Sequence, residues 1–426
     1  KTASGDPLDL AVVHQQRVAA VLLDQVGRVA DVRFDRLADV VDVPFAQFLG
    51  FASIGGVAST GPASTAGGVA AMEVLARDLK ALGLYAARSL SFDGVEYAML
   101  EHRLTPEQVR IYDSYASAFE VIHNNLDAAL EAAGVTSAAH GTLNRQAKAA
   151  AKSAYQGMLQ RFFNHLITSM QTPSVIAGIE QDLADGHAAV VQIVSTGEAM
   201  QERRLAEIPT DEWNDVSVDI TPRDGVLSYL QHSFPVQLYE PFTDGDGNLS
   251  SRPVHDEDGN PVANREAVRR RDAMIERLAA LPPVPGALDQ IVQHFGTDMV
   301  AEVTGRSRRV VPKKGDDGSV RFAVENRPAS AGLHETDAFQ NDVKQILIFS
   351  EAGGTGRSYH ADLGCLNQRR RIHYLLEAGW KADAAIQGFG RTNRTNQKQA
   401  PLFRPVSTDV KAQKRFISTI ARRLDS

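Results

Sequence analysis

The 426-residue chain carries 45 Lys and Arg against 52 Asp and Glu, a formal net charge of −7, with 43% hydrophobic and 23% charged residues. That composition belongs to a globular protein with room for two or three domains. No apolar run is long enough to cross a bilayer, which excludes a helical membrane protein. The opening KTASGDPLDL has no apolar core of the kind a signal peptide needs. One cysteine, Cys365, excludes an intrachain disulfide and a multi-cysteine zinc site, and reads as a buried structural thiol. A location inside the cell is expected, and the missing initiator methionine predicts a fragment.

In chain order, residues 8–29 have the apolar periodicity of a helix. Residues 50–68, GFASIGGVASTGPASTAGG, are rich in Gly, Ser and Thr. A P-loop ends in Gly-Lys-Ser/Thr, because its lysine reaches the β- and γ-phosphates and its hydroxyl reaches Mg²⁺. The chain contains no Gly-Lys pair, so this stretch reads as a surface loop. Residues 69–84 form an amphipathic helix, and 88–103 alternate like two strands of a hairpin around Asp93-Gly94. Thr105, Pro106 and Glu107 open a helix. Helical patterns then run to about 171, an α-helical insertion with Phe162, Phe163 and Leu166 in its core.

Residues 174–199 read as helix, strand (188–194) and a Ser-Thr-Gly turn, the first unit of a parallel sheet. Residues 231–262 read as an exposed β-ribbon with Asp-Gly-Asn turns. Asp244, Asp246 and Asn248 have the spacing of a calcium loop's first ligands. Leu249, however, occupies the position that needs glycine, and His255 the position that needs glutamate, so no metal site is expected. A charged helix (264–281), a proline break (282–286), two short helices (287–304), a basic turn (306–314) and a hairpin tip (313–318) follow. The chain closes with a basic helix at 410–424.

The stretch from 345 to 397 carries the chemistry. An apolar strand candidate, 346–349, breaks into a turn with Gly353, Gly354 and Gly356, whose backbone N–H groups can approach a phosphate. A second strand candidate spans 372–376. A short helix then delivers Gln387, Gly390, Arg391 and Arg394, with the two arginines three apart on one face. Guanidinium is always charged and fork-shaped, which suits phosphate oxygens. Residues 366–426 hold 13 Lys and Arg against 4 Asp and Glu, a net of +9, which leaves −16 for the remainder. Such a basic lobe on an acidic body is the footprint of a surface that tracks phosphates.

Strand, Gly-turn, strand and Q-x-x-G-R-x-x-R follow the order of the late motifs in the second motor lobe of superfamily 2 helicases. More specifically, FSEAGGTGRSYHAD, NQRRRIHYLLEAGWKADAAIQGFGRTNRTNQ and KRFISTIARRLDS resemble the C-terminal helicase domain of the strawberry notch family. Residues 70–97, 175–199 and 285–311 resemble further blocks of that family in the same order. The resemblance implies a RecA-like α/β lobe over about 172–426, with a mainly parallel sheet, helices on both faces and an insertion at about 231–284. Residues 1–103 would then be the trailing edge of a first lobe, and 104–171 the helical insertion.

It further implies that Arg391 and Arg394 reach across to a γ-phosphate, with Gln387 nearby. Gly353, Gly354, Thr355, Gly356 and Ser358 would be the loop that contacts nucleotide or nucleic acid, and Asp362 would hold that loop to the arginine helix. ATP and Mg²⁺ would be bound mainly by a P-loop lobe from the same parent protein or a partner chain. Nucleic acid, DNA in particular, would be the other partner. The Walker A sequence is missing, and the Asp211-Glu212 and Asp256-Glu257 pairs do not follow an apolar strand, so the chain alone is not expected to hydrolyse ATP. Two readings stay open: the C-terminal half of a helicase or translocase, and a non-catalytic lobe that binds DNA or protein. The Ala- and Arg-rich composition points to the prokaryotic, plasmid or phage branch and a cytoplasmic location; a eukaryotic member would be nuclear.

Overall fold

The computed structural model describes residues 94–418, apart from 207, 215–220, 246, 315–319, 352–355, 380–381, 412 and 416. The helices expected at 8–29 and 69–84 and the loop at 50–68 lie outside the described residues. The elements in order are β1 (Glu96–Tyr97), β2 (Leu100–His102), α1 (Pro106–Ala132), β3 (Thr136–Ser137), β4 (Gly141–Thr142), α2 (Arg145–Ala184), β5 (Ala188–Ile193), α3 (Glu198–Ala206) and α4 (Pro222–His232). Next come β6 (Tyr239–Thr243), β7 (Leu249–Pro253), α5 (Arg265–Ala279), α6 (Ala287–Phe295), β8 (Val300–Val303), β9 (Arg308–Lys314), β10 (Val320–Asn326) and α7 (Ala331–Gln340). The last are β11 (Ile346–Ser350), β12 (Arg371–Leu375), α8 (Ala382–Phe389) and β13 (Leu402–Thr408).

Seven strands form one sheet in the order β1-β13-β12-β5-β11-β8, with β2 also on β13, and every pairing in it is parallel. Parallel strands are covered on both faces and so read as near-continuous apolar runs; all residues of β5, β8, β11 and β12 are buried. Alternate residues serve alternate layers. Ala189, Val191, Ile346, Ile348, Ile372 and Tyr374 pack on Val175 and Ile179 of α2 and on Leu288, Ile291 and Val292 of α6. On the other face Val190, Leu347 and Phe349 meet Phe339 of α7, and Leu375 and Phe403 meet Ala385 and Phe389 of α8. The expected α/β lobe, with 188–194, 345–350 and 371–376 in one parallel sheet, is therefore what the chain forms.

A second core lies among helices alone. Phe119, Leu126, Tyr155 and Phe162 of α1 and α2 pack with Val226 and Leu230 of α4 and with Met274 and Leu278 of α5. The segments expected as two separate insertions thus share one hydrophobic centre, because neither helix pair can bury its apolar stripe alone. Thr105 and Gln108 cap α1 reciprocally, as expected from its opening residues. Helix α2 runs for 40 residues through Pro173, so the boundary expected at 171/172 falls inside it. Pro173 has no N–H to give the carbonyl of Ser169; Gln290 of α6 supplies a donor instead, Nε2 to O at 3.1 Å. The β6–β7 ribbon is antiparallel, and its turn is closed by the Asp244 carboxylate, which accepts from the Asn248 N–H at 2.8 Å.

Three expectations change. Of the hairpin expected at 88–103, residues 88–93 lie outside the described residues, and 94–103 hold two short strands, β1 and β2, which both run parallel to β13, one along its start and the other along its end. The second helix expected within 287–304 is the edge strand β8, since Gly296 at φ 78 ends α6 and the β-branched run that follows pairs with β11. The basic turn at 306–314 is the strand β9, paired with β10. Its leading Arg306 is buried rather than displayed, with Nε at 2.6 Å from the Glu302 carboxylate and Nη1 at 2.8 Å from that of Asp289.

Candidate functional site

Helix α8 lies on the sheet where Gln192 of β5 rises against it. A Cβ on Gly388 would stand 2.0 Å from the Gln192 Oε1, so only glycine permits this approach. The helix ends at Phe389. Gly390 and Arg391 close its last turn with bonds to Ile386 and Gly388 carbonyls. Arg391 and Arg394 therefore sit on the turn after the helix, not side by side on a helix face as expected. Arg391 donates Nη1 to the Arg357 carbonyl at 2.9 Å, and Arg394 donates Nε to the Gly390 carbonyl at 2.9 Å. Gln387 is exposed, four residues ahead of Arg391.

The loop after β11 lies against that turn. Gly353, Gly354 and Thr355 are outside the described residues; Gly356 follows in the left-handed region at φ 76. The Tyr359 N–H donates to the Arg391 carbonyl at 2.6 Å, Lys398 N–H to Ala361 O at 2.8 Å, and Leu363 N–H to Asn396 O at 3.0 Å. Asp362 accepts from Asn396 Nδ2 at 3.1 Å and from the Gly364 N–H at 2.8 Å, and it faces His360 Nε2 at 3.1 Å. Ser358 is half-buried, and its carbonyl accepts from Gln340 Nε2 at 3.2 Å. Ser358, Asp362, Arg391 and Arg394 thus come together on one surface. Cys365 is half-buried beside them, its thiol 3.1 Å from the carbonyls of Asp362 and Asn367.

Arg371, at the start of β12, holds the loop from below. It is 1% exposed and donates to the carbonyls of Tyr359, Arg369 and Asn367 and to the side-chain oxygens of Asn367 and Gln340 at 2.7–3.0 Å. Its guanidinium also lies over the Phe339 ring, 4.8 Å from the centroid. Next to it on the same strand His373 is fully buried. Its Nδ1 is 2.8 Å from Thr392 Oγ1 and its Nε2 3.2 Å from Gln192 Oε1. Burial holds the imidazole down at about 3.

Charge near the turn is uneven. Burial pushes the Tyr359 phenol up to about 12, against the pull of Arg357 and Arg391. Burial lowers the His360 pKa; Asp362 opposes this, while Arg394 and Arg371 add to it. Neither Arg391 nor Arg394 pairs with a carboxylate among the described residues. Much of the rest of the basic segment is committed within the fold. Arg369 pairs with Asp342, Arg370 with Glu96, Arg404 with Asp182 and Lys414 with Glu101. Among the described residues no group of three His, Cys, Asp or Glu gathers to hold a metal ion, and no helix is long and apolar enough to cross a membrane.

At the carboxyl ends of β5 and β12 lies a small cavity of about 50 Å³, bordered by His165, Ser195, Thr196, Gly197, Thr221 and Glu377 among others. The buried Glu377 closes it: its carboxylate accepts from the Val194 and Ser195 N–H groups at 2.9 and 2.7 Å, and from Ser195 Oγ and Asn164 Nδ2. Glu377, Gln192, Arg371, His373 and Thr392 were all missed by sequence reasoning. The available signal was polar residues inside apolar strands, as in VVQI and RRRIHYLLE.

Residues 286–426 match the family described as the C-terminal domain on strawberry notch homologue, and residues 52–114 match P-loop containing NTP hydrolase pore-1. Over 429 residues the chain is 29% identical to protein strawberry notch homolog 1 of Rattus norvegicus, covering 84% of this chain and 33% of the relative. It is 25% identical to protein FORGETTER 1 of Arabidopsis thaliana, over 84% of this chain and 36% of the relative. Protein strawberry notch of Drosophila melanogaster is 44% identical over 36% of this chain and 9% of its own length. The chain spans about a third of the length of the first curated relatives it matches. No solved structure matches it. These relatives are animal and plant proteins, which overturns the expected prokaryotic, plasmid or phage setting; an Ala- and Arg-rich composition reflects codon usage and helix content as much as lineage. Residues 286–426 carry the C-terminal, helicase-like domain of the strawberry notch family, and similarity to strawberry notch proteins extends over 84% of the chain.

Proposed function

We propose that this chain supplies the second of two motor lobes of an ATP-dependent DNA helicase or translocase. Arg391 and Arg394 act on the γ-phosphate of ATP held by a P-loop lobe, with Gln387 at the rim of the site. The loop containing Gly353, Gly354, Thr355, Gly356 and Ser358 links the nucleotide to the bound strand, and Asp362 ties that loop to the arginine turn. The observation that carries this reading is the pair of guanidinium groups without a carboxylate partner among the described residues, in a lobe whose other described arginines are largely neutralised. Fixed donors aimed at charge that develops during phosphoryl transfer are the protein's main means of accelerating it.

The point where the chain enters the lobe supports the same reading. Gly94 lies beside Ala400, 3.6 Å between its Cβ position and the alanine Cβ, and Glu96 pairs with Arg370. Glu96 and Tyr97, within the segment that matches the P-loop hydrolase family, therefore lie along the start of β13, which follows the arginine turn in the chain. Mg²⁺ would arrive with the phosphates and neutralise their oxygens. Here the arginines fit phosphate, and the metal's ligands belong to the other lobe.

The test uses the full-length protein. Arg391→Ala and Arg394→Ala should each lower ATP turnover by about 10³-fold or more, with nucleotide affinity nearly unchanged, because the side chains favour the transition state over the ground state. Arg→Lys should not rescue, since a point charge cannot replace a fork. Binding to single-stranded and duplex oligonucleotides should weaken steeply with salt as counterions are released. Normal turnover in both alanine variants would reduce these arginines to a solvated basic surface and overturn the assignment.

A further inference from the structure

We propose that Thr392, His373 and Gln192 form a positioning relay that fixes Arg391 and Arg394, an inference that rests on the motor reading above. Thr392 lies between the two arginines, and its side chain turns inward instead of toward solvent: it is 1% exposed. Each hydrogen bond of the relay has one consistent direction. Gln192 donates Nε2 to the Ala384 carbonyl of α8 at 3.4 Å, which leaves its Oε1 toward His373 Nε2 at 3.2 Å. Nε2 must then carry the ring proton. Nδ1 is left a bare acceptor, and the Thr392 hydroxyl, which also has the Phe389 carbonyl within reach at 3.2 Å, donates to the nearer Nδ1 at 2.8 Å.

The surroundings make the relay rigid. The imidazole is walled by Phe349, Phe389 and Phe403, with ring centroids 5.1–5.8 Å away, so it has no water to fall back on. A second proton on the ring would make Nδ1 a donor and turn the Thr392 hydroxyl over to the Phe389 carbonyl, and burial opposes that by lowering the ring's pKa to about 3. Among the described residues, the side chains that meet the ring from neighbouring elements are Gln192, Thr392 and these aromatics, and none of them is charged. Gly388 is part of the same device, because its missing side chain is what lets Gln192 reach α8. The arginine turn therefore hangs from two central strands, β5 and β12, through side chains that touch neither nucleotide nor nucleic acid.

Thr392 is accordingly a positioning residue, and its hydroxyl is the feature that matters. Thr392→Val keeps the shape and removes the donor; Thr392→Ser keeps the donor and removes the methyl group. Both are made in the full-length protein alongside Arg391→Ala and Arg394→Ala. ATP turnover, KM, nucleotide affinity and thermal melting are measured on the same preparations. Thr392→Val should lower kcat by about 10- to 100-fold, the range that follows from misplacing a catalytic group by up to an ångström, while KM stays within about twofold. Thr392→Ser should keep nearly full kcat. In the wild-type protein the ¹⁵N signals of His373 should show a neutral, Nε2-protonated ring throughout the pH range in which an exposed histidine titrates.

Full kcat in Thr392→Val, or equal damage by Ser and Val, would overturn the relay while leaving the motor reading intact, provided the arginine variants lose turnover. A His373 ring protonated on Nδ1 would overturn it without reference to activity. Normal turnover in the arginine variants would instead remove the motor reading, and the relay's purpose with it. If Thr392→Val fails to fold, Gln192→Glu serves in its place. It keeps the acceptor for His373 and loses the bond to Ala384, and it should lower kcat without raising KM; unchanged kcat would overturn the proposal.

Discussion

Glu302→Gln is the most informative perturbation of the lobe's stability. Glu302 is fully buried on the edge strand β8, and its carboxylate accepts from Arg306 Nε and Nη2 at 2.6 and 3.0 Å, from Thr304 Oγ1 at 2.6 Å and from Arg327 Nη1 at 3.1 Å. Burial alone would raise its pKa. The Arg306 guanidinium and its hydrogen bond, then Arg327 and Thr304, outweigh burial and hold it at about 2 instead of 4.5. At 1.36 kcal/mol per pH unit, that difference is about 3 kcal/mol in favour of the folded state. Removing one member of a buried ion cluster and leaving the other charge uncompensated costs about the same, 3–5 kcal/mol.

Because the folded pKa is depressed, this stability is present in full above about 4.5 and is lost as pH falls toward 2. Glu302→Gln should therefore lower the melting temperature at neutral pH by about 6–12 °C, at 2–4 °C per kcal/mol for a unit of this size. The deficit should shrink as the wild-type carboxylate protonates in acid. Thermal melting followed by circular dichroism across pH measures both. Adding Arg306→Met to Glu302→Gln should cost less than the sum of the two single changes, since the second removes a buried guanidinium that the first leaves with Asp289 as its remaining carboxylate. A variant that melts within about 1 °C of wild type, or whose deficit grows in acid, would refute the reasoning.

Two further outcomes follow from close packing. Gly388→Ala forces a Cβ into the Gln192 side chain and should destabilise the lobe by about 1–3 kcal/mol; a melt equal to wild type would mean that α8 stands farther from β5. Arg371→Met leaves the carbonyls of Tyr359, Arg369 and Asn367 without their guanidinium donor and should cost about 3 kcal/mol or more. Amide hydrogen exchange should then rise at Tyr359 and Leu363, and unchanged protection there would show that Arg371 does not hold the loop.

The strands 188–194, 345–350 and 371–376 were legible because parallel strands covered on both faces are mostly apolar, and short β-branched runs advertise this even with Gln192, Arg371 and His373 among them. The start of α1 was legible from Thr105 and Pro106, since capping is a local hydrogen-bonding event. The pairing of residues 94–103 with β13 was not legible: a strand's partner some 300 positions away leaves no mark in its own alternation. Nor was β8, where VAEV carries a glutamate that only makes sense once Arg306 and Arg327 are seen around it.

At the arginine site, the sequence by itself determined which residues carry charge. It also determined the order of strand, glycine turn, strand and arginines, because covalent order and residue chemistry need no fold to be read. Tertiary structure alone decided which of those charges remain available. Arg369, Arg370, Arg371, Arg404 and Lys414 look no different from Arg391 and Arg394 as letters. Arg371 is sealed under a loop, and the other four meet Asp342, Glu96, Asp182 and Glu101, partners 27 to more than 300 positions away. Net charge counts residues, whereas the field a ligand meets depends on which charges the packing has already paired. The inward turn of Thr392 toward His373 is a consequence of the same kind: a hydroxyl between two arginines has no reason to face the core until β12 and β5 place an imidazole and an amide beneath it.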